Sequence, residues 1–391
     1  MTKPKVSIVK ISDYQNRNLY QALKKSLELI NGLKELIKPG ARVFIKINHL
    51  SSSPPEKAIN THPAFTRQLL KILKEYQTEI TVGDDVYSKK NDAFLKSGYQ
   101  QMCEEMGVRL LNLKETGFKK VHCQGEVLNK VYLSRPILEA DLVINLPKLK
   151  THSFTIFTGA VKNMYGAIPQ GLRLNYHRLY GRLETFSQML VDIYSCSPPQ
   201  LTIMDAIMAM EGEGPSAGHP RKVGLILASK DGVALDAVAS KIICFNPLSI
   251  YTTLFAHERG LGVGKIEEIE ITGEKIKEVE VRDFKHSALA FGFLRRKLPA
   301  FLYAYLQDQL TLIPEVIRKE CTKCLDCVRI CPTGAAQPVS GSAWIDKQIC
   351  IHCMCCHEVC RYRAIKLKMK PIGYILRKFV SLYRRIFSLL K

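Results

Sequence analysis

The chain has 391 residues, 46% of them hydrophobic and 8% aromatic, a composition that can bury a core and excludes wholesale disorder. Its length exceeds what one hydrophobic core usually organises, so a large domain with at least one appended unit is expected. The formal net charge of +21 admits nucleic acid, an anionic membrane or acidic proteins as partners; no helix-turn-helix, zinc-finger or aromatic RNA-binding pattern accompanies it, so no nucleic acid is expected.

The opening "MTKPKVSIVKISD" alternates apolar and polar residues like a first strand. It lacks the apolar run and small-residue cleavage site of a secretory signal, so a cytoplasmic location is expected. Short β-rich apolar runs recur at 42–48, 79–85, 140–147, 200–206 and 222–229, and helical spacing appears at 61–76 and 232–245. This alternation predicts an α/β domain over residues 1–280, with a mainly parallel sheet and flanking helices. Ligands of such sheets bind at the carboxyl ends of strands.

Within that domain, "ADLVIN" passes through Pro147 into Lys148, Lys150 and His152, then reaches Lys162 and Asn163 in a glycine-flanked loop. Three lysines and a histidine at a strand end suit a phosphate or carboxylate, so these five residues form the candidate site for a small-molecule ligand of unknown identity. The competing reading is a solvated basic loop. His62 follows Thr61, a candidate helix cap, and Asp84, Asp85, Asp205 and Asp236 fall at or after strand ends, where caps and turns compete with catalytic roles. "GEGPSAG" (212–218) is neither a P-loop nor a dinucleotide fingerprint, and "RGLGVGK" (259–265) has the wrong order for one. Gly214-Pro215-Ser216-Ala217-Gly218 spells Gly-x-Ser-x-Gly but falls between two expected strands rather than at a strand-to-helix elbow, and no His-Glu-x-x-His occurs, so hydrolase chemistry finds little support.

Residues 281–315 read as a helical connector; Arg295, Arg296, Lys297 and Pro299 break its apolar run too often for a membrane span. The segment 316–368 is different. Nine of the thirteen cysteines lie between Cys321 and Cys360, and in a reducing compartment such crowding points to metal rather than disulfides. Cys321, Cys324, Cys327 and Cys331 have the spacing C-x2-C-x2-C-x3-C, and Cys350, Cys353, Cys356 and Cys360 repeat it at an offset of 29. Three thiolates at two-residue gaps can wrap one face of a cubane, while the fourth is aimed away toward a second cluster. Two Cys₄ zinc sites are the alternative, although zinc knuckles usually come as separated C-x2-C pairs.

The spacing, with Pro332 after Cys331, resembles the bacterial two-cluster ferredoxins. That resemblance implies a small α+β dicluster domain with two [4Fe–4S] clusters, one held by Cys321, Cys324, Cys327 and Cys360 and the other by Cys350, Cys353, Cys356 and Cys331. Two departures stand out: Arg361 replaces the second proline, and Cys355 is an extra thiol, read as a spare buried group rather than a redox-sensitive one. Arg329, Arg361, Arg363, Lys366 and Lys368 surround the cassette and suit an acidic redox partner protein. In the large domain, "KIN" (46–48), "THP" (61–63), "NLPKLKTH" (145–152), "GAVKNMYG" (159–166), "DAIMAMEGEGPSAG" (205–218) and "DGVALDAVAS" (231–240) resemble the domain-of-unknown-function family 362 over about residues 1–275. Members of that family often carry such a ferredoxin module, but the resemblance implies no established reaction.

From Lys366 to Lys391 there are eight Lys or Arg and no Asp or Glu. Residues 369–391 read as a basic amphipathic helix starting at Pro371, suited to docking on the protein itself or on an anionic membrane surface through 371–391, which would make the protein peripheral on the inner face. The expectation for the whole chain is an iron–sulfur electron-transfer protein, an oxidoreductase or a subunit of one, relaying single electrons to or from a redox site on the α/β domain. Its alternative is a non-catalytic carrier or metal or cofactor assembly factor whose large domain docks a partner.

Overall fold

A computed structural model describes residues 2–86, 93–287 and 309–375, with 299, 302 and 305 between the last two spans. Most of the expected connector, and the tail beyond residue 375, therefore lie outside the described residues; 371–375 are helical.

The apolar runs read from the sequence become strands whose polar flanks end them. In chain order these are β1 (Lys5–Lys10), β2 (Arg42–Ile47), β3 (Glu79–Asp84), β4 (Arg109–Asn112), β5 (Phe118–His122) and β6 (Lys130–Ser134). They continue with β7 (Leu142–Leu146), β8 (Lys148–His152), β9 (Ile156–Thr158), β10 (Leu201–Glu211), β11 (His219–Ser229) and β12 (Glu270–Gly273). The main sheet runs β12-β1-β11-β10-β7-β2-β3-β4, with β8 beside β10 and β9 beside β8; β5 and β6 form a separate hairpin. β7, β2, β3 and β4 are mutually parallel, as alternation with helices requires, whereas β11 runs antiparallel to both β1 and β10. The domain is thus α/β with a mixed, mostly parallel sheet. The antiparallel strand was not anticipated: β10 and β11 follow one another with only the 212–218 loop between them, so no crossover is available to make them parallel.

Helices cover both faces. Pro63–Lys74 packs Phe65, Leu69, Leu70, Ile72 and Leu73 into one core cluster with Val43, Ile45, Leu142 and Ile144. Pro63 at its first turn has no N–H to satisfy, and the cap is His62, whose Nδ1 accepts from Ala64 N at 3.1 Å. Thr61, the expected cap, instead donates to Leu146 O at 2.6 Å and accepts from Asn48 N at 3.1 Å, tying the carboxyl ends of β2 and β7 together.

Residues 313–368 form a second unit. It holds β13 (Ile313–Val316), a short helix Asp326–Ile330 and β14 (Ala336–Val339), then β15 (Ser342–Ile345), a short helix Cys355–Val359 and β16 (Ile365–Lys368). Every element of the first half recurs 29 residues later, the same offset as the cysteines. β13 pairs with β16 and β14 with β15, so each two-stranded sheet takes one strand from each half.

The glycine-rich loop joins the two units. Gly212 and Gly214 lie against β8: Thr151 Oγ1 donates to Gly212 O at 2.8 Å, Ser153 N donates to Gly214 O at 2.8 Å, and a Cβ on Gly214 would sit 2.1 Å from Thr151 O. The loop's outer side grips the second unit, with Ser216 Oγ donating to Glu358 O at 2.7 Å and Arg363 Nη2 donating to Gly218 O at 3.0 Å.

Candidate functional site

Where the sequence suggested a loop after Pro147, the chain continues as β8, all five of its residues buried, and Lys162 and Asn163 fall in a short helix, Ala160–Asn163. β7 ends beside the start of β10 and β8 takes over its place along the rest of that strand, Asp205 N donating to Pro147 O at 3.0 Å. The basic segment is therefore core, not a solvated loop, and each buried cation needs a partner.

Lys148 has one. Its Nζ lies 2.8 Å from Asp205 Oδ2 and 3.0 Å from Tyr14 Oη, which itself donates to Asp205 Oδ1 at 2.8 Å. His62 N donates to Asp205 Oδ2 at 3.0 Å, and the Tyr14 and His62 rings stack at 3.8 Å. Burial lowers the Lys148 ammonium, opposed by the Asp205 charge. This knot is closed, and Asp205 acts in it as countercharge rather than base.

Lys150, Lys162 and Asn163 instead line a chamber of about 160 Å³ between the two units. Asn48 and His49 follow β2, Asp84 and Asp85 end β3, and Thr158 ends β9, so the chamber stands at strand carboxyl ends as open α/β sheets favour. Tyr165, Arg173 and His177 add a second wall, and Ile330, Cys355, Glu358 and Val359 of the second unit form the third. Lys46 Nζ sits 2.7 Å from Asp84 Oδ1, both buried, and Gly166 allows that pair to close: a Cβ there would lie 2.3 Å from Asp84 Oδ1. Arg173 Nη2 lies 3.1 Å from Asp85 Oδ2. Asn163 is fixed by a chain of amides, donating to Asn145 Oδ1 at 2.7 Å and accepting from Asn48 Nδ2 at 2.8 Å.

Lys150 donates to the carbonyl of Ile59 at 2.7 Å, and burial, with repulsion from Lys162, brings its ammonium down to about 7. Lys162 is lowered by burial too, with attraction from Glu358 opposing, and among the described residues no carboxylate is in direct contact with it. His152 does not line the chamber. Its Nδ1 accepts from Phe154 N (3.0 Å) and Thr155 N (3.2 Å), which puts its proton on Nε2, 3.3 Å from Glu358 Oε1. Burial depresses His152 far below 6.5, so its ring faces the Glu358 carboxyl as a neutral donor; burial also raises Glu358, opposed by Lys162 and Lys150. Asn48 Oδ1, Thr158 Oγ1, Arg173 Nε and His177 Nδ1, all in the chamber walls, have no hydrogen-bond partner among the described residues.

In the second unit, Cys321, Cys324, Cys327 and Cys360 line one cavity, although Cys360 is 33 positions beyond Cys327 in the chain. The other set is also mutual: burial raises Cys356 well above the ordinary thiol range, and Cys353, Cys350, Cys327 and Cys331 add to it. For Cys350 burial leads, and Cys353 and Cys331 are among its neighbours. Equivalent loop residues are left-handed in both halves, Lys323 and Leu325 (φ 61° and 57°) matching His352 and Met354 (53° and 64°). Backbone N–H groups reach sulfur: Ala336 N lies 3.3 Å from Cys331 Sγ and Ala364 N 3.2 Å from Cys360 Sγ. Among the described residues, no three His, Cys, Asp or Glu side chains group closely enough to hold a single metal ion. No described helix is long and apolar enough to cross a membrane.

The family described as Domain of unknown function (DUF362) matches residues 43–241. The chain belongs to the DUF362 family. It is 32% identical over 256 residues to a thylakoid-associated protein of Synechocystis sp., a match covering 65% of this chain and 78% of that relative. Two solved structures are more distant. A Thermotoga maritima protein has a TM-score of 0.37 at 14% identity, and the lactate racemase apoprotein of Thermoanaerobacterium thermosaccharolyticum has 0.38 at 11%. The first match covers 57% of each chain; the second covers 59% of this one and 55% of the other, so this chain spans a little over half of either. The DUF362 match takes in the strand ends that carry Asn48, Asp84, Lys150 and Lys162, while Cys355 and Glu358 lie beyond it. Sequence reasoning missed Lys46, Arg173, Tyr165 and His177. Of these Lys46, in the quoted "KIN", and Tyr165, in "GAVKNMYG", carried a signal. Asp236 proves to be a cap: it accepts from Ala160 N (2.6 Å) and Val161 N (3.1 Å) and so fixes the helix that carries Lys162.

Proposed function

We propose that this DUF362 protein is an iron–sulfur electron-transfer protein whose C-terminal unit is a two-cluster ferredoxin-like domain serving a redox site in the inter-unit chamber. The observation that carries the reading is the shared cavity of Cys321, Cys324, Cys327 and Cys360, which unites the cysteines that ferredoxin-type cross-ligation requires. Those four would hold one [4Fe–4S] cluster, and Cys350, Cys353, Cys356 and Cys331 the other; bound there, the clusters would store and pass single electrons. The amide N–H groups directed at Cys331 and Cys360, and the left-handed turns that curl each loop, fit thiolates carrying negative charge.

The chain's own residues do the rest. Cys355 stands both next to the ligand Cys356 and in the chamber wall, so a molecule there would lie beside the second cysteine set. That juxtaposition favours a redox enzyme or enzyme subunit over a docking scaffold, and Lys150, Lys162 and Asn163 would hold its anionic ligand. Lys148 and His152 support the strand from outside the chamber. The basic residues around the cassette suit an acidic electron donor. Exposed Ile372, Tyr374 and Ile375 at the start of the tail, with the thylakoid-associated relative, support peripheral attachment to an anionic membrane surface; full-length protein should pellet with anionic vesicles and a chain ending at Lys370 should not.

Anaerobic purification with iron, sulfide and zinc analysis, followed by electron paramagnetic resonance after dithionite, tests the relay. About eight irons per chain and two interacting reduced clusters are expected. Zinc without a reducible signal would make the unit structural and end the electron-transfer reading.

A further inference from the structure

The chamber's walls say more about its occupant than that it is anionic. Lys46 is matched by Asp84 at 2.7 Å and Arg173 by Asp85 at 3.1 Å. Glu358, whose side chain is 16% exposed, is left to answer both Lys150 and Lys162. Arg361 also lines the chamber but is exposed, so water answers its charge; the other four cations against three carboxylates leave one formal positive charge in a largely dehydrated space, which is costly unless a monoanion completes it. Donors wait for that anion: among the described residues Arg173 Nε and Thr158 Oγ1 have no hydrogen-bond partner, Thr158 being 2% exposed, and no carboxylate is in direct contact with Lys162. Leu50, Tyr165, Leu174, Ile330 and Val359 give the chamber an apolar side, beside the polar Asn48 and His177. A volume near 160 Å³ is close to that of engineered cavities that hold benzene.

We propose that the chamber binds a small organic monocarboxylate whose carboxylate is held by Lys162 and Arg173 and whose body, about the size of a benzene ring, lies against the apolar wall shared with the cysteine unit. This deepens the proposed ligand site of the relay but does not depend on the clusters, because charge, volume and donors all belong to the protein. Asp85 sets the Arg173 guanidinium in place, and Asn163, locked by Asn48 and Asn145, holds the helix that presents Lys162.

Titration calorimetry on the full-length holoprotein, purified anaerobically, tests this with benzoate, its neutral isostere benzamide, and inorganic phosphate. Benzoate is expected to bind at one site per chain and benzamide at least about tenfold more weakly, the difference made by a charge-assisted contact. Lys162→Gln should weaken benzoate by about tenfold or more and leave benzamide unchanged. Arg173→Gln should act likewise, and if that variant fails to fold Lys162→Gln still decides, since Lys162 has no direct ion-pair partner to lose. Absence of benzoate binding, equal binding of benzoate and benzamide, or indifference to Lys162→Gln would overturn the proposal, as would phosphate binding more tightly than benzoate through Lys162. Iron content and the resonance spectrum of the same samples report on the relay separately, so either reading can fail while the other stands.

Discussion

Lys148 and Lys150 are two residues apart on β8 and both fully buried, yet one is enclosed by partners and the other lines an open chamber. Lys148 meets Asp205 and Tyr14 in a knot where every charge is answered at hydrogen-bond distance. Lys150 has a single carbonyl partner and looks across the chamber toward charges on another unit. Burial alone does not make a lysine functional. The distinction lies in whether the protein itself supplies the counterion.

Breaking the closed knot should give the largest effect. Asp205→Ala strands the Lys148 ammonium and is expected to cost about 3–5 kcal/mol in urea unfolding, whereas Lys148→Met with Asp205→Leu should recover most of it, because a matched apolar pair avoids the desolvation. At the chamber's edge, Gly166→Ala drives a methyl to 2.3 Å from Asp84 Oδ1 and 2.8 Å from Lys46 Nζ, and a loss of about 1–3 kcal/mol is expected by the same measurement.

The contrast can be sharpened by pH. Lys150 ionises near 7 when folded and near 10.5 when unfolded, so between those values the unfolded chain binds the extra proton. Wild-type stability should therefore rise with pH across that window, and Lys150→Met should flatten the rise. His62 gives the acidic counterpart. Burial, reinforced by Lys148 and opposed by Asp205, lowers it from 6.5 to about 4, so stability should fall as pH drops through that window, less steeply in His62→Gln. The smallest effect on stability is expected from Lys162→Met: removing a cation that has no direct ion-pair partner among the described residues should leave the free energy of urea unfolding within about 1 kcal/mol of wild type, or raise it.

The strands at 42–48, 79–85 and 140–147 were legible because fully buried parallel strands read as apolar runs, and the cysteine unit because its 29-residue repeat is written in spacing. Lys150, Lys162 and Asn163 were legible from their place after a strand. That Lys148 meets Asp205 was not legible, because Asp205 is 57 positions away on a strand whose pairing no local pattern discloses. Arg173 and His177 were invisible for a related reason: they lie on Gln170–Leu179, a polar helix that has meaning only once it packs over Asp85. The 212–218 loop makes a contact with Glu358 that spans 142 positions, which no local pattern discloses.

That loop bears on how the chain can be divided. Because Ser216 holds the helix whose Cys355, Glu358 and Val359 close the chamber, and Gly218 holds Arg363 just beyond it, neither unit owns the site. Excising residues 313–368 would leave strand ends without their third wall, and grafting those residues elsewhere would carry away the acid that faces Lys150 and Lys162. The two units are contiguous stretches of sequence, but the chamber cannot be inherited, swapped or engineered from either one alone.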